Sequence, residues 1–113
     1  MRILLSSGPS MTWHPTDIAP DRGASHVPLA LIVGGRELFV AAWDGGWYAL
    51  EDRCSHAGCA FSEDAEVDGP RIVCNCHGSE FDLRTGEPLR GPATRPVRTF
   101  PTRVAEGVLE IEL

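Results

Sequence analysis

No apolar run in the 113 residues approaches the roughly 18 a membrane-spanning helix needs. The opening Met1-Arg2-Ile3-Leu4-Leu5-Ser6-Ser7 has too short an apolar core for a secretory signal. Residues 1–11 are read as a disordered extension, with Met11 an alternative start, and the chain is expected in the cytoplasm with no membrane partner. Cations are also scarce. Ten basic against sixteen acidic residues leave a formal net charge of −6, and nothing resembles a basic stripe, so nucleic acid is not an expected partner. Repeats, heptads and low-complexity tracts are missing, as is any nucleophile–base constellation, so no chemistry of the chain's own is expected. The acidity suits transient docking on basic partner surfaces, and equally suits plain solubility.

Nine prolines and twelve glycines in so short a chain favour short strands over long helices. Val27 to Val33 and Arg36 to Ala42 are apolar runs joined by Gly34-Gly35, a hairpin signal. Trp43-Asp44-Gly45-Gly46-Trp47 turns into a third strand, which delivers the chain to Cys54. Trp13, Trp43, Trp47, Tyr48, Phe39 and Phe100 are expected to build the core. Ser62 to Gly69 reads as an acidic turn, with Glu63, Asp64, Glu66 and Asp68 a solvated loop or a docking patch. Arg71 to Val73 and Phe81 to Leu83 follow as short strands, and Gly91 to Pro96 is an ordered loop. Val97 to Val104 and Val108 to Leu113 close the chain as a hairpin expected to pair with the early meander. Thr16 to Ala19 is the sole helix candidate. The fold class is all-β: one domain over 12–113, with the segment from about Asp52 to Pro92 inserted as a subdomain that carries the chemistry.

That segment holds the strongest signal. Cys54-x-His56 is answered by Cys74-x-x-His77, with seventeen residues between His56 and Cys74. Two loops that each supply one thiol and one imidazole suit a binuclear cluster, one iron taking the thiolates and the other the imidazoles. A structural zinc site would accept the same four donors. Four cysteines also permit two disulfides, but the interleaved histidines favour metal. His14 and His26 have no such neighbours and read as surface or structural residues. Arg53 and Glu80 flank the ligand segments and are candidates for setting the local field.

From about Trp13 onward the chain resembles the Rieske iron–sulfur family. The resemblance is carried by Cys54-Ser55-His56-Ala57-Gly58-Cys59 and Cys74-Asn75-Cys76-His77-Gly78-Ser79, followed by Phe81-Asp82 and Gly91-Pro92-Ala93. It implies a fold of small antiparallel sheets with an inserted cluster-binding subdomain. It also implies one [2Fe–2S] cluster, with Cys54 and Cys74 on one iron and His56 and His77 on the other. Neutral imidazoles in place of two thiolates reduce the negative charge on the centre. Its potential is thereby raised to roughly −150 to +300 mV, against about −400 mV for plant-type ferredoxins. By the same resemblance, Cys59 and Cys76 form a disulfide tying the cluster loops together, as in respiratory quinol oxidoreductases. Ser79 is expected to donate its hydroxyl to a cluster sulfide, and Gly91-Pro92-Ala93 to cover the cluster. Phe81 stands where the high-potential pattern has Tyr, so a donor to a ligand sulfur is missing.

The function implied is that of a soluble one-electron carrier, an electron-transfer component and not itself an enzyme. It is expected to act as a monomer between an NAD(P)H-dependent ferredoxin reductase and a terminal ring-hydroxylating oxygenase. The alternative is a Rieske subunit of a quinol oxidoreductase or of a nitrite or arsenite redox enzyme, a reading that the Cys59 and Cys76 pair supports and Phe81 opposes.

Overall fold

Six consecutive apolar residues, Leu38 to Trp43, are what a strand covered on both faces requires. The computed structural model describes residues 12–20, 28–56 and 58–113, and it places that run in β3 (Arg36–Trp43). The extension expected over 1–11, the strand start at Val27, and His26 lie outside the described residues. β3 is central to a four-stranded antiparallel sheet in the order β2 (Leu29–Val33), β3, β4 (Gly46–Glu51), β9 (Thr99–Phe100). Its alternate residues serve two cores. Leu38 and Val40 join Ala49, Phe100, Leu109 and Ile111 on one side, while Phe39 and Ala41 join Leu50, Phe61, Ile72 and Phe81 on the other.

The first core is closed by a sheet of β1 (Trp13–Pro15), β11 (Val108–Glu112) and β10 (Thr102–Ala105). The second is closed by β5 (Ala65–Asp68), β6 (Arg71–Cys74), β7 (Glu80–Asp82) and β8 (Pro88–Arg90), in that order. All three sheets are antiparallel, so the all-β expectation holds. Three tight hairpins share one device. Gly34-Gly35, Asp44-Gly45 and Glu106-Gly107 each place two successive residues at positive φ, between 49° and 80°, as two-residue turns matching the strand twist demand.

Several expectations are corrected. The helix is a single turn, α1 (Phe61–Asp64), and not Thr16 to Ala19. That earlier segment is fastened to β11, where Thr16 N donates to Leu109 O at 2.9 Å and Leu109 N to Ile18 O at 2.9 Å. The acidic stretch after α1 is a strand: Ala65 and Val67 turn partly inward while Glu66 and Asp68 face water, an alternation of period two. β8 was unforeseen. The closing arm from Val97 is split at Pro101, because Thr99–Phe100 pairs with β4 whereas Thr102–Ala105 pairs with β11.

The aromatic core also differs from the expected set. Phe39 and Phe100 are buried, but Trp13, Trp43, Trp47 and Tyr48 are only half-buried. Arginines cover two of these rings, the Arg103 guanidinium lying 4.1 Å from the Trp13 centroid and that of Arg84 5.4 Å from Trp43. Phe61 and Phe81, left out of the expected core, are fully buried. Phe61 sits edge-on between Phe39 (5.7 Å) and Phe81 (5.6 Å), so α1 serves to insert one ring between two sheets. Phe61→Ala is therefore expected to cost about 3–5 kcal/mol, seen as a fall in the thermal midpoint by circular dichroism. Val104→Ser, at a half-exposed position, should stay within about 0.5 kcal/mol.

Candidate metal centre

β6 ends at Cys74, and β4 leads through Asp52 and Arg53 to Cys54; both cysteines are free and buried. The loop after each is closed by the same two hydrogen bonds. Cys54 N donates to Cys59 O (2.8 Å) and Gly58 N to Cys54 O (2.9 Å). Cys74 N donates to Ser79 O (2.8 Å) and Gly78 N to Cys74 O (2.9 Å). The fifth residue of each loop must then take a left-handed conformation, and glycine is there in both cases, at φ 74° and 85°. The Cys-x-x-x-Gly spacing common to both halves was legible in the sequence, although its meaning was not drawn from it.

These loops bring the predicted residues together. The Cys54 thiol lies within hydrogen-bonding reach of Cys74. The His56 and His77 rings are exposed, with centroids 5.0 Å apart in an edge arrangement. Burial pushes the Cys74 thiol up; the N–H of Cys76 pulls it down again, and the neighbouring Cys54 adds to the rise. The Cys74 thiol therefore resists ionisation until a cation supplies the missing charge, which couples metal uptake to proton release.

Cys59 and Cys76 are joined in a disulfide. Their sulfurs and a His77 ring nitrogen lie within 4.8 Å of one another, but sulfurs bonded to each other are not metal donors. The disulfide joins the two loops covalently. The Ser79 side chain is fully buried, and its Oγ accepts a hydrogen bond from Ala93 N at 3.1 Å. That bond uses a lone pair and leaves the hydroxyl proton free to donate. Ser55 Oγ donates to Arg95 O at 2.6 Å, so the loop after β8 is held against both Cys–His loops. Ser55 was not among the expected site residues, because its partner lies 40 positions away.

Phe81 is fully buried in the core that also contains Cys54, Cys74, Leu83 and Ala93. Gly91 and Pro92 are exposed and Ala93 is buried. Glu80 is paired with Arg71 (2.7 Å) and Arg90 (3.5 Å), which offset its charge, whereas Arg53 is exposed with its guanidinium beside Gly58. His14 is half-buried on β1 next to Gly34, far in the fold from the two loops.

The donor chemistry suits a binuclear iron–sulfur group: two soft sulfurs adjoin in the protein interior, and two imidazoles stand together at its surface. Residues 12–101 match the family model described as the Rieske [2Fe-2S] domain. The chain belongs to the Rieske [2Fe–2S] family. Its cofactor is accordingly a Rieske [2Fe–2S] cluster, and the zinc reading of the four donors is set aside.

Among its relatives, the anthranilate 1,2-dioxygenase ferredoxin subunit of Burkholderia cepacia is 34% identical over 101 residues, 89% of this chain and 92% of that one. The 3-phenylpropionate/cinnamic acid dioxygenase ferredoxin subunit of Photorhabdus laumondii is 36% identical, over 81% of this chain and 83% of that one. Among solved structures, the ferredoxin of carbazole 1,9a-dioxygenase from Nocardioides aromaticivorans IC177 superposes with a TM-score of 0.74 at 29% identity. That match covers 86% of this chain and 95% of the other. A complex of reduced oxygenase and oxidized ferredoxin in carbazole 1,9a-dioxygenase contains a chain matched at TM-score 0.76 and 32% identity, covering 88% and 91%.

The Rieske loops owe their shape to the two glycines, and an added Cβ at Gly78 meets no atom within 4 Å. Gly78→Ala should thus act through backbone strain alone, roughly 1–2 kcal/mol. We expect the variant to fold but to lose its visible absorbance several times faster than the wild type in the presence of an iron chelator.

Proposed function

We propose that this chain is the electron-carrying ferredoxin of a ring-hydroxylating oxygenase system, an electron-transfer component and not an enzyme in its own right. It would receive single electrons from an NAD(P)H-dependent reductase and deliver them to a terminal oxygenase. The observation that carries this reading is the pair of exposed imidazoles on an otherwise buried donor set. A ligand ring at the surface gives the electron a short path to a docked partner. The relatives named as dioxygenase ferredoxin subunits, matched over most of both chains, support it. The complex with an oxygenase supports the same partner class. The reading carries with it a monomer in the cytoplasm, a single domain over 12–113 and a cluster-binding subdomain over about 52–92.

When bound, the cluster takes up and releases one electron. The protein's part is to hold and insulate it. Cys54 and Cys74 would bind one iron from within the core, and His56 and His77 the other at the surface. The Cys59–Cys76 disulfide keeps the two loops at a fixed separation. Ser79 Oγ, positioned by the Ala93 N–H, would donate toward the cluster, and Gly91, Pro92 and Ala93 would exclude water above it. The disulfide is the one feature that favours the second reading, a subunit of a quinol oxidoreductase or of a nitrite or arsenite enzyme.

Two measurements test the assignment. The purified protein should be brown, contain two irons per chain, and lose that iron in Cys54→Ser, His56→Ala, Cys74→Ser and His77→Ala. A colourless protein holding one zinc would falsify the ligand assignment.

The second measurement reads the tuning residues. A hydrogen bond to the cluster is stronger in the reduced state, which carries one more negative charge. If the difference equals an ordinary net hydrogen bond of roughly 0.5–1.5 kcal/mol, Ser79→Ala lowers the potential by about 20–65 mV. Phe81→Tyr, in the core shared with Cys54 and Cys74, should raise it by a similar amount, provided the new hydroxyl reaches a ligand sulfur. Voltammetry with cluster content checked by absorbance decides both. An unmoved potential in an intact Ser79→Ala protein removes Ser79 from the role.

A further inference from the structure

An open groove of about 560 Å³ runs beside His56, and its wall includes Arg53, Arg95 and Arg98 with Glu51 as the single acid. The chain as a whole is acidic, at −6, yet the surface beside this imidazole carries three cations against one anion. All three arginines are exposed, and none of them takes part in an ion pair among the described residues. Arg71, Arg84, Arg90 and Arg103, by contrast, are each paired with a carboxylate.

The three arginines are also held in place. Ser55 Oγ fixes the backbone of Arg95 at 2.6 Å, Val97 N donates to Gly86 O at 2.8 Å, and Glu51 N donates to Arg98 O at 2.9 Å. The Arg98 guanidinium stands 5.3 Å from the Phe100 ring centroid, and that of Arg53 lies over Gly58. The acid borders the other loop, where Glu66 Oε2 accepts from Asn75 Nδ2 at 3.0 Å and Asp64 O from Asn75 N at 2.7 Å. Glu63, Asp64, Glu66 and Asp68 project from α1 and β5, and Asp44 caps the end of β4 opposite Glu51.

We propose that this groove is a docking surface for an acidic face of an electron-transfer partner, so that carboxylates on the partner seat beside His56. The inference rests on the carrier reading above and refines it by reversing the sign of the local charge. Field lines from nearby charges dominate at contact distance, where separations fall below a Debye length of about 8 Å. The acids of α1 and β5 lie on the side of the Asn75 loop, so a partner face seated in the groove on the His56 side meets the arginines first. A lone small anion gains little from exposed, water-screened guanidiniums, whereas a protein face that excludes water as it docks strengthens each of those pairs. Arginine suits such a face because its guanidinium is weakly hydrated and forms bidentate carboxylate contacts; the chain contains no lysine, so every cation is of this kind.

Two trivalent oxidants of opposite charge test the sign. Ferricyanide and hexaamminecobalt(III) each take one electron from the reduced protein by outer-sphere transfer, giving ferrocyanide and cobalt(II). In a step after the transfer, the cobalt(II) exchanges its ammonia ligands for water, and the released ammonia becomes ammonium. In stopped flow, ferricyanide oxidation of the wild type should slow as salt is added. Arg53→Gln with Arg95→Gln should slow it roughly tenfold at low ionic strength. Arg84→Gln with Arg103→Gln, which removes the same net charge elsewhere, should change it far less. A ferricyanide rate that rises with salt in the wild type means that the overall negative charge governs approach, and overturns the proposal. Saturable inhibition by millimolar inorganic phosphate at fixed ionic strength would make the groove a small-anion site and overturn it equally.

Binding is read independently with hexacyanochromate(III), a redox-inert anion of the same charge and shape. It should broaden the Nε–H signals of Arg53, Arg95 and Arg98 in preference to those of Arg84 and Arg103; uniform broadening counts against the groove. This second readout needs no electron transfer. A chain whose centre took up no electron would show no oxidation by either reagent, while the groove could still be scored.

Discussion

The structure depends on placing two thiols side by side in an apolar interior. Polar, ionisable groups are costly there unless they are compensated. Cys54 and Cys74 share the core of Phe39, Phe61, Phe81 and Ile72, and burial holds Cys74 against ionisation. Almost everything nearby answers that constraint. The backbone groups of both loops are paired through matching hydrogen bonds, Ser79 meets Ala93, and a disulfide stops the loops separating. The two loops are thus braced by hydrogen bonds and a covalent link of the protein's own.

The three-layer arrangement follows from the same need. A site made of two loops is only as rigid as the strands that launch them, and those strands belong to different sheets. β4 lies in the central sheet and β6 in the outer one, so their relative position is fixed by the side chains between the sheets. Phe61 is the main contact, stacked edge-on against a ring from each side. The terminal sheet backs the opposite face of β3 through Leu38 and Val40 and has no part in the site itself.

Electrostatically the chain is divided. Two buried thiols lie inward, and two neighbouring imidazoles lie exposed at one surface. Arginines with no ion pair among the described residues border that surface on the His56 side, while others are paired with Asp68, Glu80, Asp82 and Glu110. Formal net charge is therefore a poor guide to what a docking partner meets at close range. The long-range field governs approach, and the nearest few side chains govern the contact.

Much was determined by the sequence alone because the physics involved is local. Donor type depends on which side chains are present, and loop shape on a glycine four places after each cysteine. Hairpins at Gly34-Gly35 and Asp44-Gly45 need only two residues able to take positive φ. The all-β class and the Cys–His pattern were therefore readable without coordinates. Tertiary structure decided the rest. Ala65 to Asp68 became a strand only because β6 lay alongside it, and Pro101 divided an arm because two sheets competed for it. Trp13 and Trp43 remained at the surface because arginines from other strands covered them. The basic groove joins residues near 53 to residues near 95, and Ser55 finds its partner 40 positions away. Composition counts charges without placing them, and contacts of that span exist only once the sheets have packed.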